Sequence, residues 1–530
     1  MDKFSSRRTF LKTGSAVAAG GIFGVPLVVC GGCSTSPLSS RQHLALTSTE
    51  ALAAIRTGSM TAVSYVSTLI SRAKEQSALN AMIYLDEVGA MAAAAAVDAK
   101  RAAGEQLPAL AGLPIVVKDN INTKGMKTTG GTPALKNLQP TSNAPSLQKL
   151  IDAGAIVLGK SNMHELAFGV TSTNFTLGVD AAGAASKPAK NPYNTARIPG
   201  GSSGGTAIAI AARFAPCGLG TDTGGSSRVP AALCGIVGFR PSVGDGVGKG
   251  RRYVDTNAVI PISHTRDTVG PMGRSVADVA LLDSVITGTA LPAAKALKGL
   301  RMGVPASFWN GLDTSLSAVV MAARQKLMDA GVVMVDVDMA GIMALNDNIS
   351  FPVALHEPIA DIPAYLAATG ASGITVQSIA NQVASPDVKG AFGAITADAL
   401  GGGYPAAMIT HRPALQAMYQ KYFSANNLDA ILFPTTILPA PTIDAVNGSA
   451  QSISINGVVV PGMSEFSAII RNTDPGSNAG IPGLSIPAGL TAAGLPVGLE
   501  IDGPLGSDQT LLAIGMSMES VLGRISAPAI

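Results

Sequence analysis

The run PGGSSGGTAIAIAARFAPCGLGTDTGGSSRVPAALCGIVGFRP, residues 199–241, controls the reading of the whole chain. It contains two glycine-dense loops that both carry hydroxyls: Gly200-Gly201-Ser202-Ser203-Gly204-Gly205 and Gly220-Thr221-Asp222-Thr223-Gly224-Gly225-Ser226-Ser227-Arg228. Glycine loses more backbone freedom on folding than any other residue, so such density belongs where backbone must approach something closely or take angles other residues avoid. Successive backbone N–H groups around one serine suit the negative charge that develops on a carbonyl oxygen during acyl transfer. The competing reading is a phosphate cradle, but the first loop lacks the lysine that completes a nucleotide-binding P-loop.

A serine hydroxyl is a weak nucleophile and needs a base beside it. The five histidines (His43, His164, His264, His356, His411) are scattered, and none lies in the glycine loops. A lysine can serve when burial lowers its pKa toward neutrality. Lys118 follows the apolar run Leu113-Pro114-Ile115-Val116-Val117, which reads as a buried strand. Taken alone, such a lysine would read as a solvated surface group. Asp222 and Arg228 read as a structural ion pair bracing the second loop, with Ser203 and Ser227 as hydrogen-bonding supports. His164, in Asn162-Met163-His164-Glu165-Leu166, lacks the paired ligand spacing of a zinc site. It reads as structural or pocket-lining, and neither a metal nor a cofactor is expected. Cys217 and Cys234 read as buried thiols.

Residues 199–241 resemble the amidase signature family of serine hydrolases. So do LPIVVKDNI (113–121), LGKSNMHELAFGVTS (158–172), HTRDTVGPMGRSVADVALL (264–282) and GLPVGLEIDG (494–503). The resemblance implies an α/β fold with one large, mixed, twisted β-sheet layered by helices. It implies a Ser–Ser–Lys triad in which Ser226 is the nucleophile, Ser202 the bridging serine after a cis peptide bond, and Lys118 the base. Thr223, Gly224, Gly225 and Ser226 correspond to the oxyanion-hole donors. Asn162–Leu166 and Arg266-Asp267-Thr268 are most similar to the indoleacetamide and mandelamide branch. That branch implies cleavage of a small aryl or apolar amide to acid and ammonia through an acyl-enzyme. Peptide C-terminal amidase, aryl acylamidase and carbamate hydrolase activities remain open alternatives. Intact Lys118, Ser202 and Ser226 argue against a non-catalytic binding protein.

The N-terminal Ser6-Arg7-Arg8-Thr9-Phe10-Leu11-Lys12 looks like a twin-arginine export signal. The weakly apolar run after it is too short and glycine-rich for a membrane span. Cys30-Gly31-Gly32-Cys33 hints at lipoprotein processing at Cys33, so residues 1–33 read as a leader to a periplasmic enzyme, soluble or lipid-anchored. Of 37 basic and 34 acidic residues, the leader holds four and one, leaving 33 of each in a neutral remainder. No basic footprint for nucleic acid stands out, which, with export, argues against a tRNA-dependent amidotransferase subunit. The expected partner is a small-molecule amide, and the expected state a monomer or homodimer.

The remainder, residues 41–530, reads as one amidase domain, with its core near 106–300. Hydrophobic residues make up 47% and charged ones 13%, which points to a large core. Strands are expected at 115–117, 156–158, 301–304, 332–337, 430–433, 483–486 and 497–501. Helices are expected at 146–153, 204–213, 275–286, 316–330 and 509–522. Such alternation argues for a layered α/β sheet. Residues 340–470 read as a more irregular substrate cap, with a loop or hinge at Gly401-Gly402-Gly403-Tyr404-Pro405. Phe351, His356-Glu357, Asp361–Tyr365 and Phe433–Thr436 are candidate lining pieces. Residues 180–190 read as a surface loop.

Overall fold

Short apolar runs buried on both faces form the centre of the molecule. The computed structural model describes residues 38–181, 183–246 and 249–530. The export motif and Cys33 lie outside these described residues. In chain order the strands are β1 (Met82–Leu85), β2 (Pro114–Lys118), β3 (Ile156–Ser161), β4 (Cys217–Asp222), β5 (Val237–Arg240), β6 (Thr268–Gly273), β7 (Arg301–Gly303), β8 (Val333–Val335), β9 (Ala430–Pro434), β10 (Ser452–Ile455), β11 (Val458–Ser464), β12 (Gly483–Leu490) and β13 (Pro496–Asp502). Eleven of them form one sheet in the order β1-β3-β2-β4-β6-β5-β12-β13-β9-β7-β8. β2 runs parallel to β3 and β4, and β7 parallel to β8 and β9. The remaining neighbours are antiparallel. This is the large mixed sheet, layered by helices, that the sequence implied. β10 and β11 form a separate hairpin. Among the described residues no helix is long and apolar enough to cross a membrane.

The pleat of β2 sets up the site. Successive side chains point to opposite faces of a strand. Val116 packs into the core under helices Ala62–Glu75 and Gly204–Ala211. Ile115 and Val117 enter the opposite core, with helices Pro145–Asp152 and Val276–Thr287. Full burial of each contributes roughly 1.5–3 kcal/mol. Lys118 therefore shares the face of Val116, on the side where the first serine loop leads into helix Gly204–Ala211.

The structure also departs from the sequence reading. Helices Ser48–Thr57, Ala62–Glu75 and Glu87–Ala102 were not expected, although Thr47, Thr61 and Asp86 cap them and Thr47 with Glu50 forms a reciprocal capping box. β4 escaped because Cys217-Gly218-Leu219-Gly220 looks too glycine-rich for a strand. The glycines are needed for close approach: a Cβ at Gly220 would lie 2.7 Å from Ser203 Oγ.

Residues 340–470 are not irregular but largely helical, with helices Ile342–His356, Pro358–Ala368, Pro386–Thr396 and Arg412–Asn426. The expected loop or hinge at Gly401–Pro405 is corrected to a helical run. A 3-10 turn, Gly401–Gly403, leads through Tyr404–Ala406 and the π turn Ala407–His411 into Arg412–Asn426. Proline is tolerated in a first turn, where its missing N–H has no partner anyway. Each glycine costs about 1 kcal/mol in a helix. Packing of Leu415, Tyr419 and Phe423 against Ile349 and Val353 outweighs it. Within 180–190, Asp180 and Gly183 are exposed, whereas Ala185 and Ala189 are buried.

Candidate active site

Lys118 is wholly buried. Its Nζ donates to Ser202 Oγ at 2.7 Å and to Thr221 Oγ1 at 2.8 Å. Asn120 Nδ2 also donates to Thr221 Oγ1, at 3.0 Å. Burial pushes Lys118 down to about 7, against the opposing pull of Asp222 and Asp267. Near neutral pH a large fraction of this lysine is an amine able to accept a proton. Thr221 and Asn120 were not singled out from the sequence. Their signal was the pairing of β2 with β4, which brings Thr221 beside the end of β2.

Ser202 is buried and follows a cis peptide bond from Gly201. Ser203 fastens the two glycine loops together. Its N–H donates to Ser226 O at 3.2 Å, its hydroxyl donates to Thr221 O at 3.2 Å, and that hydroxyl accepts from Thr221 N. Ser226 itself is half-buried and opens onto a cavity. Lys118 Nζ is the hydrogen-bond partner of Ser202 Oγ among the described residues, so the step from Ser202 to Ser226 is not closed by a hydrogen bond here.

The loop that bears Ser226 is held by buried charge. Asp222 Oδ1 accepts from Gly225 N–H at 3.0 Å and Asp222 Oδ2 from Ser227 N–H at 3.2 Å. Arg228 Nε is 3.1 Å and Arg240 3.0 Å from the same carboxylate. Burial alone would raise the Asp222 carboxyl, but Arg228 and Arg240 overcome it and hold the group well below the usual carboxylate range. Arg228 also reaches Glu500 at 2.5 Å, Ser477 Oγ at 2.6 Å and Thr473 O at 3.1 Å. Thr473 Oγ1 donates to Gly224 O at 2.6 Å. Gly225 has φ +140°, and a Cβ there would lie 2.3 Å from Thr473 Oγ1, so glycine is required.

Of the four backbone donors considered from the sequence, Gly225 N–H is thus occupied by Asp222. Thr223, Gly224 and Ser226 line the cavity, whereas Gly225 does not. The Thr223 hydroxyl is tied back to Asp267 at 2.6 Å.

The cavity holds about 380 Å³. Its walls are mostly apolar: Phe168, Val170, Ile262, Phe351, Ala354, Leu355, Phe466 and Ile470. The helices Ile342–His356 and Pro386–Thr396 and residues 449–474 supply more than half of the lining. Polar groups are few. Arg266 and Asp474 form a buried ion pair at the wall, and Asp474 accepts from Asn346 at 2.9 Å. Of the lining pieces considered from the sequence, Phe351 borders the cavity, whereas Phe433 is buried and stacks on Phe308 at 4.7 Å. His164 is buried directly behind the wall, its N–H donating to Ser202 O at 3.1 Å. Outside the cavity, His264 Nδ1 lies 3.0 Å from Asp361 and 3.6 Å from Glu357. That cluster ties helix Pro358–Ala368 to the loop before β6.

A large mixed sheet with a buried lysine–serine pair under a glycine-rich serine loop defines the amidase class of fold. The protein shares 41% identity over 502 residues with mandelamide hydrolase from Pseudomonas putida, covering 92% of this chain and 94% of that protein. It is equally 41% identical over 469 residues to indoleacetamide hydrolase from Agrobacterium vitis, covering 87% and 94%. The peptide amidase structure from Stenotrophomonas maltophilia superposes with a TM-score of 0.71 at 26% identity, covering 91% of this chain and 98% of that one. The family model described as Amidase matches residues 64–512. The chain belongs to this amidase family and is an amide hydrolase.

Proposed function

We propose that the protein hydrolyses small primary amides with an aryl acyl group, through Ser226, Ser202 and Lys118. One observation carries this reading: a wholly buried, near-neutral lysine sits 2.7 Å from Ser202, beneath a half-buried serine that faces an apolar cavity. Ser226 Oγ attacks the amide carbonyl carbon. Its proton passes to Ser202, whose own proton passes to neutral Lys118. Backbone N–H groups among Thr223, Gly224 and Ser226, which line the cavity, meet the developing oxyanion. Collapse breaks the C–N bond, and the relay runs backward to protonate the departing ammonia. Water then attacks acyl-Ser226 with the same base, releasing the carboxylic acid and restoring the serine. An apolar cavity of this size suits an aryl ring, with few polar groups to fix its orientation. The similarity to mandelamide and indoleacetamide hydrolases supports the same substrate class.

The test is ammonia release from phenylacetamide by the purified protein. Turnover is expected to fall by about four orders of magnitude or more in Ser226→Ala. Turnover undiminished in that variant would overturn the assignment of the nucleophile. The twin-arginine motif supports a periplasmic location as a further part of this proposal. Fractionation that leaves the enzyme in the cytoplasm would refute it.

A further inference from the structure

The apolar cavity contains one feature that an aryl ring alone does not explain. Two carboxylates line it, Asp474 and Asp387. Asp474 is neutralised by Arg266 and further held by Asn346 and Asn478. Asp387, in the first turn of helix Pro386–Thr396, has no lysine or arginine partner among the described residues. Its Oδ2 accepts from Ser449 N–H at 2.7 Å and lies 3.1 Å from His164 Nε2. Among the described residues its Oδ1 accepts only from the N–H of the next residue, Val388, at 3.0 Å.

His164 sets this arrangement. Its Nδ1 accepts from Ser172 N–H at 3.2 Å, which leaves the ring proton on Nε2, toward Asp387. Burial alone would raise the Asp387 carboxyl, but His164 and the surrounding N–H groups lower it below the usual value. Nearby Glu465 is pushed up to about 8 by burial and by Asp444 and Asp387. At neutral pH the negative charge in this part of the wall therefore rests on Asp387. A carboxylate offers about four acceptor positions. Oδ1 thus retains capacity that the protein does not fill.

We propose that Asp387 is a specificity determinant that selects acyl groups carrying an O–H or N–H donor on an otherwise apolar aryl body. This rests on the proposed amide-hydrolase site, since the substrate must seat its acyl part in the same cavity. An acyl group without a donor strips water from Asp387 and returns nothing. A site built to receive a hydrogen bond discriminates strongly against an analogue that lacks it, because the buried acceptor is left unpaired. His164 acts through Asp387 as a positioning residue, its Nε2 lying 3.1 Å from one carboxylate oxygen.

The experiment uses two matched substrate pairs and compares kcat/KM. Mandelamide and phenylacetamide differ by an α-hydroxyl. Indole-3-acetamide and benzothiophene-3-acetamide differ by a ring N–H. The wild-type enzyme is expected to favour the donor-bearing member of at least one pair by about tenfold or more. In Asp387→Ala that ratio is expected to fall to near one, because the donor-bearing member loses more than the donor-free one. Asp387→Asn, which keeps an acceptor oxygen, is expected to retain part of the preference. Equal rates within both pairs for the wild type would overturn the proposal without touching the amidase reading. An equal loss on both members in Asp387→Ala would also overturn it, since that reports a structural role. If Asp387→Ala does not fold, the wild-type ratios and Asp387→Asn decide. Turnover of none of the four amides would refute both this proposal and the aryl-amide reading on which it rests.

Discussion

Replacing Lys118 with methionine should destroy activity and strengthen the fold. The lysine is wholly enclosed, and burial lowers it from an ordinary 10.5 to about 7. At pH 7 the unfolded chain carries a full charge there, while the folded chain carries about half of one. With about 1.36 kcal/mol per pKa unit, keeping this lysine buried costs on the order of 4 kcal/mol at pH 7. Methionine removes that cost and fills similar volume. It also loses the bonds to Ser202 and Thr221, each contributing about 1 kcal/mol. A net gain of roughly 2 kcal/mol at pH 7 is expected. The sign of the pH dependence is distinctive. Between pH 7 and 10.5 the unfolded state binds the extra proton, so the wild type gains stability as pH rises. The advantage of Lys118→Met should therefore shrink by about 2 kcal/mol between pH 7 and pH 9. Urea unfolding of both proteins across that range measures it. The wild-type kcat/KM should rise over the same range with an apparent pKa near 7. Full turnover in Lys118→Met, or a stability difference that does not change with pH, would refute the reasoning.

Two further outcomes test the surroundings of the site. Asp222→Ala leaves Arg228 and Arg240 buried without their shared counter-charge, a loss of roughly 3–5 kcal/mol measurable by chemical unfolding. Because Asp222 is depressed in the folded state, its contribution is fully present above about pH 4 and is lost progressively as pH falls from there toward the depressed folded value, so the gap between wild type and variant should narrow steadily below pH 4. Leu355→Trp narrows the cavity of about 380 Å³. KM for phenylacetamide should rise by about tenfold, with propionamide little affected. Equal effects on both amides would show that Leu355 does not border the acyl site.

Much of the site was legible because its parts are strongly marked. The apolar run before Lys118 marks a buried strand, although the lysine alone reads as a surface group until the family resemblance gives it a role, and two glycine loops with hydroxyls are costly unless backbone must approach closely. β2 and the helix after Ser203 followed from the same patterns. What stayed hidden was determined by contacts distant in sequence. Thr221 matters only because β4 lies beside β2. The occupation of Gly225 N–H by Asp222, the clasp of Thr473 on Gly224 and the charge left on Asp387 all depend on tertiary placement. The cap misled for a different reason. Its helices bury residues on several sides, and glycine with proline at 401–405 mimics a break. Packing of Leu415, Tyr419 and Phe423 decided the outcome.

The clasp on the Ser226 loop bears on the timing of synthesis. Lys118, Ser202 and Ser226 all emerge from the ribosome before the chain is half made. The groups that grip their loop, Thr473, Ser477 and Glu500, are among the last to be translated. A nascent chain that already holds every proposed catalytic side chain, and the Asp222 and Ser203 braces of the loop, still lacks the Thr473 clasp and the three late contacts of Arg228. C-terminally truncated products therefore carry all three proposed catalytic side chains while lacking the Thr473, Ser477 and Glu500 contacts to their loop.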